Sequence, residues 1–461
     1  MKRRAFIQGV GSTAAMAGFS QNISSSNAKA KRVVFILLAG GAPHLDLFDY
    51  KPELKKMHGK VAPKYMWEGK QFAFMQNNPT ILASPFKFKR HGKSGMIFSE
   101  LLPNIASNAD DICKINSMVT DQFNHGPAQA FLLTGSPFAG RPSLGSWVDY
   151  ALGSTNENLP SFVTMVPGSG PSGGKALWNN GFLPGKHQGV QFSVKKNDAV
   201  FYLNNPEGVS PVNRQDSIEG LTKLNDIHYK KTGDKSIKTS NYSYKLALKM
   251  QTSIPRVVNL KEEPTKIKEL YGKGPFAKSC LMTRRLLEKG TRFVQINYRG
   301  PDKTKGHSMW DMHGDVRGQS ISKDLPILCR DIDQGISALI KDLKQRSMLN
   351  DTLIVVTTEF GRTCMRQNLA GKKTKNLGRD HWPNVYSTLL VGGGIKGGLT
   401  YGQSDDFGYE VDQSTKVHVH DLQATILHTL GIDHTKLTYR YQGRDFRLTD
   451  VHGKIIKDIL T

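Results

Sequence analysis

Short apolar runs alternate along the chain with segments whose apolar positions recur at helical spacing. Runs rich in β-branched residues and bounded by turn residues predict buried strands, at residues 32–40, 160–166, 291–298, 351–358 and 387–391. Helical spacing predicts helices, at residues 126–135, 277–289, 322–346 and 420–430, and residues 98–119 show a helix followed by a strand. This alternation predicts an α/β fold with a mostly parallel central sheet and helices on both faces.

Residues 168–275 interrupt this alternation. Glycine, asparagine, lysine and serine are common there, and apolar periodicity is weak except in residues 242–260. The segment is interpreted as an irregular insertion or a small helical cap. The sequence therefore predicts one α/β unit over residues 31–461, with 168–275 as the insertion.

The first thirty residues have the three parts of a signal peptide. A basic KRRAFIQ start is followed by a mildly apolar stretch and a polar run with small residues near position 30. The pair Arg3–Arg4 followed by Phe6 resembles a twin-arginine signal. The apolar stretch is too short to span a bilayer. Residues 1–30 are thus predicted to be a twin-arginine-type signal peptide that engages the twin-arginine export machinery, leaving a periplasmic or secreted protein with no stable membrane anchor.

The charge balance is strongly basic. The 461 residues include 63 lysines and arginines against 39 acidic residues, a formal charge of +24, and residues 1–30 account for only four of these positive charges. Such a field concentrates anions, which favours an anionic small-molecule or polysaccharide substrate, although the charge also serves solubility alone. Because the basic residues are scattered and rarely adjoin aromatics, no nucleic-acid partner is expected.

The four cysteines lie far apart and form no CxxC motif, which argues against a zinc ribbon or a thioredoxin-like site. An exported protein can form disulfides, but Cys113 and Cys329 lie in apolar segments. Buried free thiols are therefore expected.

Histidines and carboxylates follow several predicted strands or precede a predicted helix. They occupy four regions, residues 40–46, 121–127, 307–315, and 359–362 together with 379–382. Taken singly, each residue also fits an ordinary structural role. Because ligands gather at the carboxyl ends of strands in such sheets, the coincidence predicts a shared site for one or two divalent ions. Zinc, manganese, calcium and magnesium all remain open.

Three of these segments resemble the alkaline phosphatase and sulfatase superfamily. RVVFILLAGGAPHLD resembles its opening strand, whose following Asp binds metal, and Asp46 holds that place. HGPAQAFLLTG resembles the sulfatase signature, with His125 at the position of the Cys or Ser nucleophile. DTLIVVTTEFGRT resembles the strand that precedes further ligands, with Glu359 and Phe360 at their positions.

A narrower resemblance covers nearly the whole chain after residue 30. The segments GGAPHLDLFDYKP, FNHGPAQ, WDMHG, TEFGRT, GRDHWP and YQGRDFRLTDVHG resemble motifs of the bacterial domain-of-unknown-function family number 1501, which is placed beside the sulfatases. The four regions and the superfamily resemblance together predict a set of metal ligands: Asp46, His125, Asp311, His313, Glu359, Asp380 and His381.

The resemblance also implies catalytic roles. Arg362 and Arg379 would clamp the oxyanion of an ester. His125 has two possible roles, as a ligand, which is favoured, or as a nucleophile. Ser117, Thr120 and water remain alternative nucleophiles.

Two functions follow from the sequence. One is an exported, metal-dependent hydrolase of sulfate or phosphate esters, with acidic polysaccharides among its substrates. The other is a catalytically inactive relative that binds an anionic glycan or an envelope component.

Overall fold

The computed structural model describes residues 28–75, 78–194, 199–200, 203–301, 309–314, 319–367 and 375–461. Its strands are β1 (Arg32–Leu38), β2 (Phe88–His91), β3 (Met96–Ser99), β4 (Ile112–Val119), β5 (Phe162–Met165), β6 (Val190–Phe192), β7 (Phe293–Tyr298), β8 (Thr352–Thr357), β9 (Gly361–Arg362), β10 (His381–Trp382), β11 (Tyr386–Val391), β12 (Leu399–Tyr401), β13 (Val417–His418), β14 (Tyr439–Tyr441) and β15 (Arg444–Phe446).

Its helices are α1 (His44–Leu47), α2 (Pro52–Lys56), α3 (Pro103–Ala106), α4 (His125–Thr134), α5 (Leu144–Leu152), α6 (Pro211–Thr232), α7 (Lys235–Val258), α8 (Thr265–Tyr271), α9 (Pro275–Glu288), α10 (Ile321–Gln345) and α11 (Val419–Thr429).

The central sheet has the strand order β12-β4-β11-β8-β1-β7-β5-β6, and β13 pairs with β4. Strand β11 runs antiparallel to both of its neighbours, β4 and β8. The other pairings in this sheet are parallel. The predicted mostly parallel α/β fold is therefore confirmed.

Strand β1 lies at the centre of this sheet and is apolar on both faces. Val34 and Ile36 belong to a core cluster that includes residues of α9 and α10. Val33 and Phe35 belong to a second cluster, which includes residues of α4, α5 and α11. Because both faces of β1 are buried, its residues are apolar almost without interruption. A strand with one exposed face would instead alternate apolar and polar residues.

The parallel strands bring their carboxyl ends to one edge of the sheet. Strand β1 pairs in parallel with both β7 and β8, so the chain leaves all three strands on the same side. Strand β4 has the same direction, since β11 is antiparallel to both β4 and β8. The segments that follow these four strands contain the histidines and acids nominated from the sequence.

The segment 168–275 contains two long helices, α6 and α7. Ser210 caps the start of α6 and Asp234 caps the start of α7, each by accepting a backbone N–H bond. Gly233 ends α6 with a positive φ of 68°. The assignment of this segment as an insertion or cap stays a prediction.

No helix in the described ranges is both long enough and apolar enough to cross a membrane. Residues 1–27, most of the predicted signal peptide, lie outside those ranges. All four cysteines are free and buried, as the apolar surroundings of Cys113 and Cys329 predicted.

Helix α4 is held at its carboxyl end by two contacts. Gly135 ends the helix with φ 69°, and the backbone oxygen of Leu448 lies 1.8 Å from where a Cβ on Gly135 would stand. The side-chain amide of Gln423 donates to the carbonyl oxygens of Phe131 and Leu132. These contacts fix the position of α4, whose first residue is His125.

A Gly135→Ala substitution is expected to destabilise the protein by roughly 2–4 kcal/mol, because left-handed strain and a clash with Leu448 add together. Gly233→Ala is the matched control, since Gly233 has a similar φ of 68° but no atom within 4 Å of its Cβ position. The control is expected to cost only about 1 kcal/mol. Guanidinium denaturation measures both values, and equal losses would contradict the packing argument.

Candidate metal centre

Three histidines and one aspartate converge at the carboxyl edge of the sheet. His125 begins α4, Asp311 and His313 follow β7, and His381 begins the short strand β10. One potential ligand atom from each side chain lies within 4.8 Å of all the others. The group therefore joins parts of the chain that are almost 260 residues apart in sequence.

The Nε2 atoms of all three imidazoles face one carboxylate oxygen, Oδ1 of Asp311. The distances from this oxygen are 2.6 Å to His313, 2.9 Å to His125 and 3.2 Å to His381. The Nε2 atoms of His313 and His381 lie 3.0 Å apart. The Asp311 and His313 side chains are fully buried, and that of His125 is the most accessible of the four, at 11% exposed.

The other nitrogen of each imidazole, Nδ1, lies within hydrogen-bond distance of an oxygen. The distance is 2.6 Å from His125 to Glu359 Oε1, 2.6 Å from His313 to Gln367 Oε1, and 2.7 Å from His381 to the Phe123 carbonyl. Because these oxygens accept, the protons are assigned to Nδ1, and the lone pairs of Nε2 face the centre. Metal-binding histidines have this arrangement.

The four inward atoms cannot satisfy one another. Three Nε2 lone pairs and one carboxylate oxygen are all acceptors, and the Nε2 atom of His125 has no hydrogen bond despite lying 2.9 Å from Asp311. A cation at their centre removes the repulsion and completes each atom's bonding. The residues therefore fit a divalent metal ion.

Two carboxylates of this region, those of Asp311 and Glu359, are held in their ionised forms. Burial would raise the pKa of Asp311, but the three surrounding imidazoles and the charge of Arg362 hold it well below its usual range. Burial also opposes ionisation of Glu359, yet contact with His125 and bonds from Gly40 and Gln129 lower its pKa to about 2. Negative charge therefore persists inside the protein, where it favours a cation.

Two of the imidazoles differ in their pKa values. Burial, together with the positive charge of Arg362, lowers the pKa of His381 to about 3. Burial also acts to lower the pKa of His125, but the neighbouring carboxylates of Asp311 and Glu359 outweigh it and raise the pKa. A neutral His381 is the form that ligates a metal.

The guanidinium group of Arg362 is buried and directed inward. It donates to Asp311 Oδ1 at 2.9 Å, to the Gly41 carbonyl at 2.8 Å and to the Arg379 carbonyl at 3.1 Å. Arg362 was nominated to clamp an oxyanion. In this arrangement its hydrogen bonds orient Asp311 and connect the loop after β1 to the site.

Arg379 and Asp46 form a fully buried ion pair. Nε of Arg379 lies 2.9 Å from one carboxylate oxygen of Asp46, and Nη2 lies 3.2 Å from the other. Nη1 also donates to the Leu82 carbonyl at 2.9 Å. Both oxygens of Asp46 therefore already have a cationic partner, and Asp46 lies outside the group of four.

Glu359 and Asp380 also lie outside that group, each adjoining one of its histidines. Glu359 contacts His125 and accepts the backbone N–H of Gly40 at 2.9 Å. Asp380 accepts backbone N–H bonds from Phe74, Met75 and His381 at 2.7–2.8 Å. The structure thus brings together four of the seven nominated ligands and uses the other three to hold loops and side chains around them.

Aromatic rings surround the imidazoles. The ring centroid of Phe360 is 4.6 Å from that of His381 and 4.9 Å from that of His125. Phe74 packs edge-on against His313 at 4.8 Å. Phe360, which stands at a ligand position in the sequence resemblance, is therefore an apolar neighbour of two imidazoles.

A family model described as "Protein of unknown function (DUF1501)" matches residues 30–460. The chain belongs to this family. The match extends over the sheet and all four residues of the candidate centre. No curated protein matches this DUF1501 chain.

Several solved structures are similar to this DUF1501 protein. Ps i-CgsB is 14% identical with a TM-score of 0.38, covering 87% of this chain and 72% of its own. The lipoteichoic acid synthase LtaP from Listeria monocytogenes is 9% identical with a TM-score of 0.37, covering 93% and 78%. A mutant of TAB5 alkaline phosphatase is 10% identical with a TM-score of 0.33, covering 88% and 99%. At these values, the function proposed below rests on the site itself.

Four contributors to the site were not predicted from the DUF1501 sequence. They are the Phe74 ring, the Phe123 carbonyl and the side chains of Gln129 and Gln367. Gln129 stands one helical turn after His125, so its spacing could have indicated a shared face. No sequence pattern distinguishes the other three.

The remaining nominated side chains have other surroundings. His44 is buried near the Gly408 carbonyl, and burial lowers its pKa to about 4. Ser117 donates to the Thr415 carbonyl, whereas the Thr120 hydroxyl is buried without a hydrogen bond among the described residues. His307 and Asp315, in the third nominated loop, lie outside the described ranges.

Arg379→Met is expected to destabilise the protein by about 3–5 kcal/mol, because it leaves the carboxylate of Asp46 buried without its cation. The double variant Arg379→Met/Asp46→Leu removes both charges and is expected to regain much of that loss. Guanidinium denaturation of the single and double variants measures the coupling. Additive losses would show that the pair is not coupled.

His313→Ala is expected to abolish tight metal binding, whereas Asp46→Asn is expected to retain it, because only His313 belongs to the converging group. Gln367→Ala is expected to weaken affinity by about 10–100-fold, since Gln367 orients His313. Metal content is measured by inductively coupled plasma mass spectrometry after purification without chelators. His434→Ala removes a buried histidine elsewhere and serves as the control. Loss of metal in Asp46→Asn with an intact fold would return Asp46 to the ligand set.

Proposed function

We propose that this DUF1501 protein is an exported, metal-dependent hydrolase of sulfate or phosphate esters on anionic small molecules or polysaccharides. One observation carries the proposal. Each of three imidazoles has its Nδ1 atom within hydrogen-bond distance of an acceptor oxygen. Their Nε2 lone pairs are therefore directed at a common point beside one buried carboxylate, that of Asp311. Such a group is suited to a Lewis-acidic ion rather than to packing alone.

The donor set favours zinc, or another first-row transition metal, over calcium or magnesium. His125, His313 and His381 offer nitrogen, and only Asp311 offers oxygen. Calcium and magnesium prefer oxygen ligands, whereas imidazole suits zinc and its neighbours. The described residues contain a single group of this kind, so the proposal assigns one ion to it.

The bound ion would polarise an oxygen of the ester and stabilise the charge that develops during hydrolysis. The surrounding residues orient this chemistry. Arg362 holds Asp311, Glu359 holds the proton on Nδ1 of His125, and the ring of Phe360 excludes water from one side. His125 also stands at the start of α4, where the helix dipole favours an anion.

His125 is proposed as a ligand rather than a covalent nucleophile. Its Nδ1 atom is engaged by Glu359, and its Nε2 atom faces the proposed ion beside Asp311. With the ion bound, neither nitrogen would be free to form a covalent intermediate. The proposal therefore assigns the attack on the ester to water.

A second candidate function is binding of an anionic glycan without turnover. The observation that favours it is the inward orientation of both guanidinium groups, since Arg362 and Arg379 bond to the protein's own oxygens. The excess of basic residues still attracts anions in the absence of an arginine clamp.

Export by the twin-arginine route is part of the proposal. The Arg3–Arg4 pair and the mildly apolar stretch after it support this route. A periplasmic or secreted location would bring the site to acidic polysaccharides.

The mature protein loaded with zinc is expected to hydrolyse 4-nitrophenyl sulfate or 4-nitrophenyl phosphate. His381→Ala is expected to lower kcat/KM by about 10³-fold, which corresponds to roughly 4 kcal/mol of lost transition-state stabilisation. Chelation should abolish the activity, and zinc should restore it. Release of 4-nitrophenol is followed spectrophotometrically, with His434→Ala as the control.

Two outcomes would oppose the hydrolase. Full activity of a correctly folded His381→Ala variant would remove His381 from the site. Stoichiometric metal together with glycan binding, but no turnover of either ester, would support the binding-protein candidate.

A further inference from the structure

A second concave region lies at the opposite edge of the sheet from the metal centre. It adjoins the end of α5, where the Gly153 carbonyl accepts bonds from Arg292 and Ser161. Arg292 immediately precedes β7, and Ser161 immediately precedes β5. The region therefore lies at the amino ends of these parallel strands, whereas the candidate ligands follow the carboxyl ends.

The region encloses a cavity of about 440 Å³, within the size range of small-molecule sites. Helix α7 covers one side, and the end of α5 and the chain before β6 form the other. Its lining includes Asp149, Glu157, Lys186, His187, Tyr242 and Lys245. None of the four converging metal-centre residues lines it.

His187 provides a buried polar group in the wall of this cavity. The residue is only 7% exposed, and its Nδ1 atom lies 2.6 Å from Oδ2 of Asp149. Among the described residues, Nε2 of His187 has no hydrogen-bond partner. An oriented imidazole with one nitrogen fixed by a carboxylate leaves the other available to a ligand.

The charges around the cavity favour an anion. Three lysines, Lys186, Lys245 and Lys249, line it together with two carboxylates. One carboxylate, Asp149, contacts His187, and the other, Glu157, pairs with Lys249 at 2.9 Å. In the part of the chain that the structure describes, Lys186 and Lys245 have no ion-pair partner, so two ammonium groups remain for a ligand.

The remaining walls indicate an organic ligand rather than a bare ion. Tyr242 and Leu246 line the cavity beside the lysines, and the volume exceeds what a single sulfate needs. An aromatic ring can pack against the apolar face of a sugar while ammonium groups bind its charged substituent. We propose that this cavity is a second, non-catalytic site for a sugar that bears a sulfate or phosphate monoester.

The test uses the full mature chain carrying His313→Ala and His381→Ala, so that binding cannot arise at the metal centre. Isothermal titration calorimetry with galactose 6-sulfate and galactose 6-phosphate is expected to show one site. Unmodified galactose and inorganic sulfate are expected to bind at least about tenfold more weakly. The relative affinities of the two esters identify the preferred substituent, and this result is independent of whether the protein hydrolyses any ester.

Adding Lys186→Gln and Lys245→Gln to the same chain is expected to weaken ester binding by about tenfold or more. The matched control is Lys230→Gln/Lys231→Gln, which removes the same charge from the exposed end of α6 and should change affinity by less than about twofold.

His187→Asn separates a binding role from a structural one. The Asn amide can still donate to Asp149 but cannot replace Nε2. We expect several-fold weaker binding with an unchanged melting temperature. The proposal is overturned if neither ester binds, if the Lys186/Lys245 variant binds as the parent does, or if inorganic sulfate binds as tightly as the esters.

Discussion

Compensation of buried charge determines the arrangement at the carboxyl edge of this sheet. Four carboxylates, those of Asp46, Asp311, Glu359 and Asp380, are fully buried there. A buried charge is tolerated only when oppositely charged or hydrogen-bonding groups surround it closely. Each carboxylate therefore restricts the positions of its partner groups, and so the conformation of the loops that hold them.

Three of these carboxylates are compensated by different kinds of partner. Asp46 is matched by the guanidinium of Arg379, and Glu359 by backbone and side-chain donors. Asp311 accepts a bond from Arg362 and is faced by three imidazole nitrogens. Only the last arrangement leaves unshared electron pairs directed at a common point, and this makes it a candidate for metal.

Arg362 links the loop after β1 to the candidate metal centre. Its guanidinium joins the loop after β1, the backbone of Arg379 and the carboxylate of Asp311. A side chain with five fixed donors can hold three separate segments in one geometry, which a lysine could not do. The same rigidity suits Arg362 to positioning these segments.

Much of the fold could be predicted from local patterns, because burial on both faces of a parallel sheet leaves continuous apolar runs and amphipathic helices leave a helical period. The strands at β1, β7 and β8 and the long helix α10 were recognised in this way. Helix α6 was not predicted, since it is mostly exposed and lacks a clear apolar stripe, whereas periodicity was recognised over residues 242–260, which include the second half of α7.

The sequence by itself determined the fold class, the edge of the sheet at which histidines and acids gather, and the family motifs that nominate them. It could not determine which acids face the centre. Asp46 and Asp311 are the same residue type, each a few residues after a central strand, and their difference depends on distant partners. Arg379 reaches Asp46 from 333 residues away, and His381 reaches Asp311 from 70 residues away. Only the tertiary structure decides such pairings, because electrostatic compensation depends on distance in space and not on distance along the chain.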